Sequence, residues 1–522
     1  MSKICKKLLA TLLVTVATVC SFTGCSLSSN KGKHSSTEVL IKLWSSGTGT
    51  EFLQKAIDAF NAKNTGYTVS FESSSNSTTI ASDFGREGID NADIWMYAID
   101  DIATKLTSEY AEPLNDILES TYEGESKKIG DKFESSFLKE LKYEDGNYYS
   151  LSYGGGWYGI VYNTSVIDGV NYKVPRTTYE LENLVIRLYS DYKDGKSTMK
   201  PWINWKEETY WKHMIGVWQA QYDTLDYVNN TFWKLKDADG NSPSLDVLTK
   251  KDGRYKALQS LEKMMSADYA VDGSNTYSHT EAQTYFLNNK AVLMVNGSWL
   301  LNEMRNTDGA KTSFAMMKSP VISSIVDNCP SIAGEDGGEP DEELCALIDA
   351  IDKATSSADV PLTGEGYSVT EADRDRVYEA RNLMASNFDA HGVVIPKYAT
   401  SKEGAKEFLK YFYSDENLKT YWETTQLPMM IKYSNGDSPD MSTWDAWSKS
   451  QQEFSSTAIP IHTIKRDCSP IFTTGGAAIY ATEYVIKNLT SRGEYKGADK
   501  TWESVVNFHT TNWANYKTNA QI

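Results

Sequence analysis

The chain has 522 residues, too many for one compact core, which sets the expectation of two or three domains. An apolar fraction of 40% and a charged fraction of 23% exclude a disordered chain. A net charge of −18 argues against a large phosphate-binding face, and so against nucleic acid as a partner.

The N-terminus reads as a leader. Lys3, Lys6 and Lys7 make its basic start, Leu8–Val19 its apolar stretch, and Phe22-Thr23-Gly24-Cys25 its processing site. Gly24-Cys25 resembles a bacterial lipobox, with Phe22 where that pattern has Leu. The resemblance implies cleavage after residue 24 and a diacylglyceryl group on the Cys25 sulfur. Residues 25–38 are polar and Ser-rich, the composition of a tether that holds a domain off a membrane. Loss of the leader leaves 49 basic against 70 acidic residues, a net charge of −21 that suits a neutral or cationic ligand. No later segment has eighteen consecutive apolar residues. Beyond Cys25 lie Cys329, Cys345 and Cys468, without metal spacing; a Cys329–Cys345 bridge and an unbridged state both stay open.

Val39–Trp44 is a continuous β-type run followed by a polar, glycine-containing turn. Leu53, Ala56, Ile57 and Phe60 then recur at helical spacing, with Thr48-x-x-Glu51 as a capping-box pattern. Thr68–Glu72 and Ala92–Tyr97 read as the next two strands. Strand and helix alternate, the signature of an α/β fold with a mostly parallel sheet. Such sheets take ligands beyond the carboxyl ends of their strands. Trp44, Ser45, Asp93, Trp95 and Tyr97 are placed at or just past such ends. Asp93 is the leading acceptor for ligand hydroxyls and Asp100 the second, with a helix cap as the structural alternative for Asp93.

Tyr148–Asn163 (YYSLSYGGGWYGIVYN) holds two short β-type runs about a triple glycine. Glycine leaves the backbone permissive and open to close approach, and the flanking aromatics supply flat faces with polar tips. A simple glycine bulge is the alternative. As a crossing between two lobes, the stretch would bring Tyr153, Trp157 and Tyr158 to a ligand cleft. Alternation sends Trp157 and Tyr158 to opposite sides, so one of that pair is core.

The order IKLW, AFNAKN, YTVSFE, NADIWMY and YAEPLNDIL, followed by NYYSLSYGGGWYGIVYNTSVID, resembles the bacterial extracellular solute-binding proteins that feed sugar ABC transporters. The resemblance implies a two-lobe periplasmic-binding-protein-like (type II) α/β fold with hinge crossings and a cleft between lobes. It divides the chain into a first lobe (39–153 and 391–430), a second lobe (154–320 and 431–522) and an acidic surface insertion (321–390). The ETYWKHM segment is similar to the place where maltodextrin-binding relatives put a sugar-stacking aromatic, which implies Tyr210 and Trp211. AVLMVNGSW resembles the family's second-lobe strand, whose terminal Trp stacks on ligand, implying Trp299 with Asn296 beside it. IPKYATSKEGAKEFLKYFYSDENLKTYWETTQLPM resembles the return segment. Ser368-x-x-Glu371 and Thr400-x-x-Glu403 are two further capping-box patterns. Gly475–Ala478 are small residues where maltodextrin binders place an aromatic.

No HExxH, GxSxG, P-loop or GxGxxG motif occurs, and no two histidines stand four apart. The expectation is a non-enzymatic protein without cofactor or metal. A pyranose offers apolar faces to the 14 Trp and 32 Tyr and hydroxyls to carboxylates and amides, although large cores also absorb aromatics. The reading is a lipid-anchored, monomeric solute-binding protein on the outer face of the cell membrane. It captures an oligosaccharide by lobe closure and delivers it to ABC permease subunits. The same scaffold with a non-sugar solute, or a surface lipoprotein that adheres to or degrades carbohydrate, are the competing readings.

Overall fold

The structure is a computed structural model and describes residues 34–45, 47–86, 88–206, 210–304, 313–332, 341–462, 468–476, 489 and 497–522. The leader, Cys25 and the tether as far as residue 33 lie outside the described residues.

The strands are β1 (Glu38–Trp44), β2 (Thr68–Ser74), β3 (Ile94–Ala98), β4 (Leu151–Ser152), β5 (Trp157–Asn163), β6 (Lys200–Trp202), β7 (Ala291–Gly297), β8 (Phe314–Met316), β9 (Thr363–Gly364), β10 (Tyr367–Ser368), β11 (Leu383–Ser386), β12 (His391–Val394) and β13 (Ile459–His462). The first sheet runs β2-β1-β3-β12-β4. Its β1–β2 and β1–β3 pairs are parallel, whereas β12 runs antiparallel to both β3 and β4. Both faces are covered, as a largely parallel sheet requires. Val39, Ile41, Leu43, Ile94, Met96 and Val393 face one core, and Trp95, Tyr97 and Val394 face another. The helix Glu51–Ala62 buries Phe52, Leu53, Ala56, Ile57 and Phe60 on the first of these faces, which is the apolar stripe its spacing dictates.

The second sheet runs β13-β11-β5-β7-β6, with β8 added against β5. The helices Thr178–Lys193, Trp211–Asp223 and Gly253–Met264 cover its outer face through Leu181, Met214, Trp218, Leu258 and Leu261.

Among the described residues the chain passes between the sheets three times. It goes out from β4 to β5 through Gly154–Gly156 and returns from β11 to β12 through residues 387–390. It leaves again after Ile431, which bridges Phe133 in the first lobe, to reach the helix Ala446–Phe454, where the Trp447 indole N–H donates to the Ser298 carbonyl at 3.2 Å. The first two crossings are clamped together. Gly156 N–H donates to Asn387 Oδ1 at 2.8 Å, and Asn387 N–H donates to the Gly156 carbonyl at 3.1 Å. Gly155 has φ +128°, and a Cβ there would lie 2.8 Å from the Phe388 Cα, so glycine is required where the two crossings touch.

Residues 321–390 correct an expectation. Read from sequence as a surface insertion, they instead supply β11, which lies between β13 and β5. Their helices Glu342–Ile351 and Glu371–Asn382 bury Leu344, Leu347, Ile348, Val377 and Ala380 in the second-lobe core. Residues 333–340 lie outside the described residues. Cys329 and Cys345 are both buried and reduced, and burial pushes their thiols up to about 11 and about 12.

Candidate ligand-binding site

The carboxyl ends of β1 and β3 and the start of β12 form one edge of the first sheet, where Ala98 pairs with His391. Trp44 ends β1 half-buried, with its ring 5.1 Å from His391 in an edge contact. Ser45 follows it half-buried, its N–H donating to the Ser74 carbonyl at 2.9 Å. Asp100 follows β3 at the same edge.

Facing this edge, the second lobe presents an aromatic group built on β5, the start of the Trp211–Asp223 helix, and the turn after β7. Tyr158 stacks on His213 with ring centroids 3.7 Å apart and planes 16° from parallel. Tyr210 and Trp299 meet the same Tyr158 ring edge-on at 5.2 and 5.0 Å, and each other at 5.8 Å. Trp205 backs Tyr210 at 5.3 Å. Offset and edge-to-face rings of this kind add about 0.5–1.5 kcal/mol per pair beyond burial, so the wall is preformed. The turn after β1 reaches across to it: a Cβ on Gly47 would stand 2.8 Å from the Trp299 Cβ.

The polar groups come from both lobes and the second crossing. Burial pushes the Asp100 carboxyl up to about 6, Asp389 repels it further, and Lys212 from the opposite lobe opposes the rise. Asp100 is exposed to water and yet has protein close around its carboxyl. His213 is held well below its ordinary value by the same enclosure and by Lys212, with Asp389 acting against them. His391 is lowered to about 4 by burial, again opposed by Asp389. Both imidazoles are therefore neutral at pH 7.

The sequence-derived candidates separate into two groups. Trp44, Ser45, Tyr158, Tyr210 and Trp299 come together at the cleft, as does Asp100. The others are placed elsewhere. Asp93 precedes β3, at the opposite end of the sheet, and is fully buried. Its Oδ2 accepts from Leu40 N–H at 2.9 Å and His34 Nε2 at 2.5 Å, and its Oδ1 from Ser401 N–H at 2.8 Å, which makes it a main-chain staple. Trp95 is sealed in the first lobe, its indole N–H on Asp90 Oδ2 at 2.8 Å. Trp157 is fully buried against Phe388 at 4.9 Å, with its indole N–H on the Gln451 carbonyl, so Tyr158 is the cleft-facing member of that pair. Trp211 packs on Trp202 at 5.3 Å in the second-lobe core. Asn296 is buried in β7, where its Oδ1 accepts from Gly297 N–H at 2.7 Å. Tyr153 lies wholly buried beneath His391, 5.7 Å away, with Phe52 on its other side. Sequence reasoning missed Lys212, His213, Asn387, Asp389 and His391. The last three fall in NFDAH, within or next to the stretch read as an insertion.

Among the described residues no group of three or more His, Cys, Asp or Glu is arranged to hold a metal. A hollow beside the Glu342–Ile351 helix and β9–β10 is remote from the crossings. Of its acids, Asp349 is bound to Arg176 at 2.6 Å, and Asp359 takes Thr355 and Ser356 hydroxyls.

A family model described as bacterial extracellular solute-binding protein matches residues 55–449. The chain belongs to that family. Its members are binding proteins, and the chain is a solute-binding protein rather than an enzyme. Its fold is similar to that of the apo form of RafE from Streptococcus pneumoniae, with a TM-score of 0.56 at 13% identity over 92% of this chain and 99% of that one. It is also similar to a maltotriose-binding protein from Thermus thermophilus, solved with maltotriose (TM-score 0.54, 14% identity, 92% and 99% coverage). A chitin oligosaccharide binding protein has a TM-score of 0.53 at 14% identity, with 92% and 99% coverage. No curated protein matches the sequence. No helix among the described residues of this solute-binding protein is long and apolar enough to cross a membrane.

Proposed function

We propose that this solute-binding protein captures a carbohydrate, an oligosaccharide, in the cleft between its lobes and delivers it to an ABC transporter permease. The observation that carries the reading is the Tyr158–Tyr210–Trp299 group, which faces Trp44 and Asp100 across the crossings. Stacked rings complement the apolar faces of a pyranose, and each is worth about 1 kcal/mol beyond area burial. Asp100 accepts two hydroxyls, and Lys212 donates from the other lobe. A ligand that bridges them favours the shut arrangement over the open one, since closure is driven only by contacts made to both lobes. Gly47 against Trp299 marks where the lobes meet when shut, so entry of ligand requires the crossings to bend.

The lipobox-like Phe22-Thr23-Gly24-Cys25 supports anchoring through a lipid on Cys25, with residues 26–38 as the tether. Such an anchor keeps the protein beside its permease on the outer face of the membrane.

The test is a melting-temperature and tryptophan-fluorescence screen of the purified protein against raffinose, maltotriose and a chitin oligosaccharide among a broad panel. A saturable shift with at least one oligosaccharide is expected. Silence across the panel refutes the carbohydrate reading.

A further inference from the structure

The second crossing fixes the hydrogen-bonding state of a buried histidine. Gly156 N–H is a main-chain donor and lies 2.8 Å from the Asn387 side chain, so the atom it meets must be the carboxamide oxygen. That assigns the amide of Asn387: its NH2 faces His391 Nε2 at 3.2 Å, with a further side-chain hydrogen bond to Tyr158. A donor pointing at Nε2 makes Nε2 an acceptor. The ring proton of neutral His391 therefore sits on Nδ1.

The main-chain groups of His391 are engaged: its N–H donates to the Asn387 carbonyl at 3.2 Å, and its carbonyl accepts from Tyr153 N–H at 3.1 Å. His391 is only 6% exposed, and its Nδ1 has no hydrogen-bond partner among the described residues. A buried donor left unsatisfied costs about 1–3 kcal/mol. The ring stands at the cleft edge of the sheet, opposite Ala98, with Trp44 at 5.1 Å against it.

We propose that His391 donates its Nδ1–H to an acceptor oxygen of the bound ligand, a hydroxyl or ring oxygen of the sugar, with Asn387 as the positioning residue that sets the tautomer. The proposal rests on the carbohydrate reading above. It makes His391 a specificity-determining group: a sugar lacking that oxygen leaves the donor unpaired, and a ligand ammonium placed there meets a donor with no acceptor to offer it.

The test uses full-length protein labelled with 15N-histidine, examined by long-range 1H–15N NMR without sugar and with raffinose, maltotriose and a chitin oligosaccharide. The expected result is an Nδ1-protonated His391 in the free protein, whose Nδ1–H resonance moves on addition of a sugar that also shifts the melting temperature. His391→Phe is expected to weaken that sugar about 5- to 150-fold, the equivalent of one unpaired hydroxyl. His391→Asn, whose amide restores a donor near Nδ1, recovers part of the loss. An Nε2-protonated ring in the free protein overturns the proposal. So does a bound sugar that leaves the Nδ1–H resonance unmoved, the result expected if water alone satisfies the donor, or one that binds His391→Phe as well as wild type. In those cases the carbohydrate reading survives. A wild-type protein that binds none of the sugars overturns that reading, and the His391 proposal with it.

Discussion

Replacing Gly155 by alanine tests the clamp between the two crossings. Gly155 has φ +128°, a conformation that costs a non-glycine residue about 1–3 kcal/mol. The added methyl also lands 2.8 Å from the Phe388 Cα and 2.9 Å from its Cδ1. The Cα is backbone tied into the return crossing and cannot swing aside. Overpacking of this kind costs about another 1–3 kcal/mol. The sum, about 2–6 kcal/mol, corresponds to a fall in Tm of about 5–20 °C for a lobe of this size. Gly154→Ala is the internal control. Its Cβ would meet the Tyr421 hydroxyl at 3.1 Å and Thr48 Cγ2 at 3.9 Å, both side-chain atoms, and its φ is not positive. It should cost no more than about 1 kcal/mol. The assay is thermal unfolding by calorimetry on both variants. A Gly155→Ala protein that melts within about 2 °C of wild type, or a Gly154→Ala protein equally damaged, refutes the reasoning.

Trp299→Ala, at a half-buried ring, should weaken the best sugar about 5- to 10-fold by titration calorimetry while leaving the fold intact. Trp211→Ala should do the reverse, destabilising the second lobe by about 3–5 kcal/mol with sugar affinity preserved in the folded fraction. Lys132, whose ammonium is fully buried between Glu125 at 2.7 Å, Asp415 at 2.8 Å and the Tyr413 carbonyl at 2.7 Å, holds the return segment to the first lobe. Lys132→Met leaves two carboxylates without their cation and should cost about 3–5 kcal/mol in denaturant unfolding. Asp223 is pushed up to about 7 by burial and by Asp252, against an ordinary 3.8. A raised carboxyl favours folding while protonated, so its contribution is full below about pH 4 and lost as pH rises through 7. Asp223→Asn, which keeps an acceptor for Gly253 N–H, should match wild type near pH 4. Near pH 8 it should be the more stable by up to about 4 kcal/mol, and a variant less stable there contradicts the assignment.

In the first sheet β1 and β3 were legible as continuous β-type runs and β2 by its alternation. The helix Glu51–Ala62 was equally legible, because Leu53, Ala56, Ile57 and Phe60 recur on one face. Helix starts were less so. Thr48, Ser368 and Thr400 carried the capping-box pattern, yet the caps are Thr50, Thr370 and Ser401, and of these only Thr370 accepts a side-chain bond. The complete capping box, Ser278 with Glu281, was overlooked. The motif is four residues long and recurs by chance in a Ser- and Thr-rich chain. Of the sequence candidates, Tyr158, Tyr210, Trp299 and Asp100 lie together between the lobes, whereas Asp93 and Trp211, of the same residue types, do not. Residue type does not say which end of a strand a carboxylate occupies, or which face of a helix a ring takes. Asn387 and His391 carried no signal. Asn387 is placed by a contact with Gly156, more than two hundred positions away in sequence, which only the fold creates, and His391 in turn meets Asn387.

The central claim is that sugar shuts the cleft. It is tested most directly by fluorescence energy transfer between labels placed at Asp58 on the first lobe and at Ile186 on the second, both exposed. The expected result is a distance that shortens saturably with an oligosaccharide that also shifts Tm, reaching the value of the shut arrangement in which Gly47 meets Trp299. A sugar that binds without changing the distance contradicts the account.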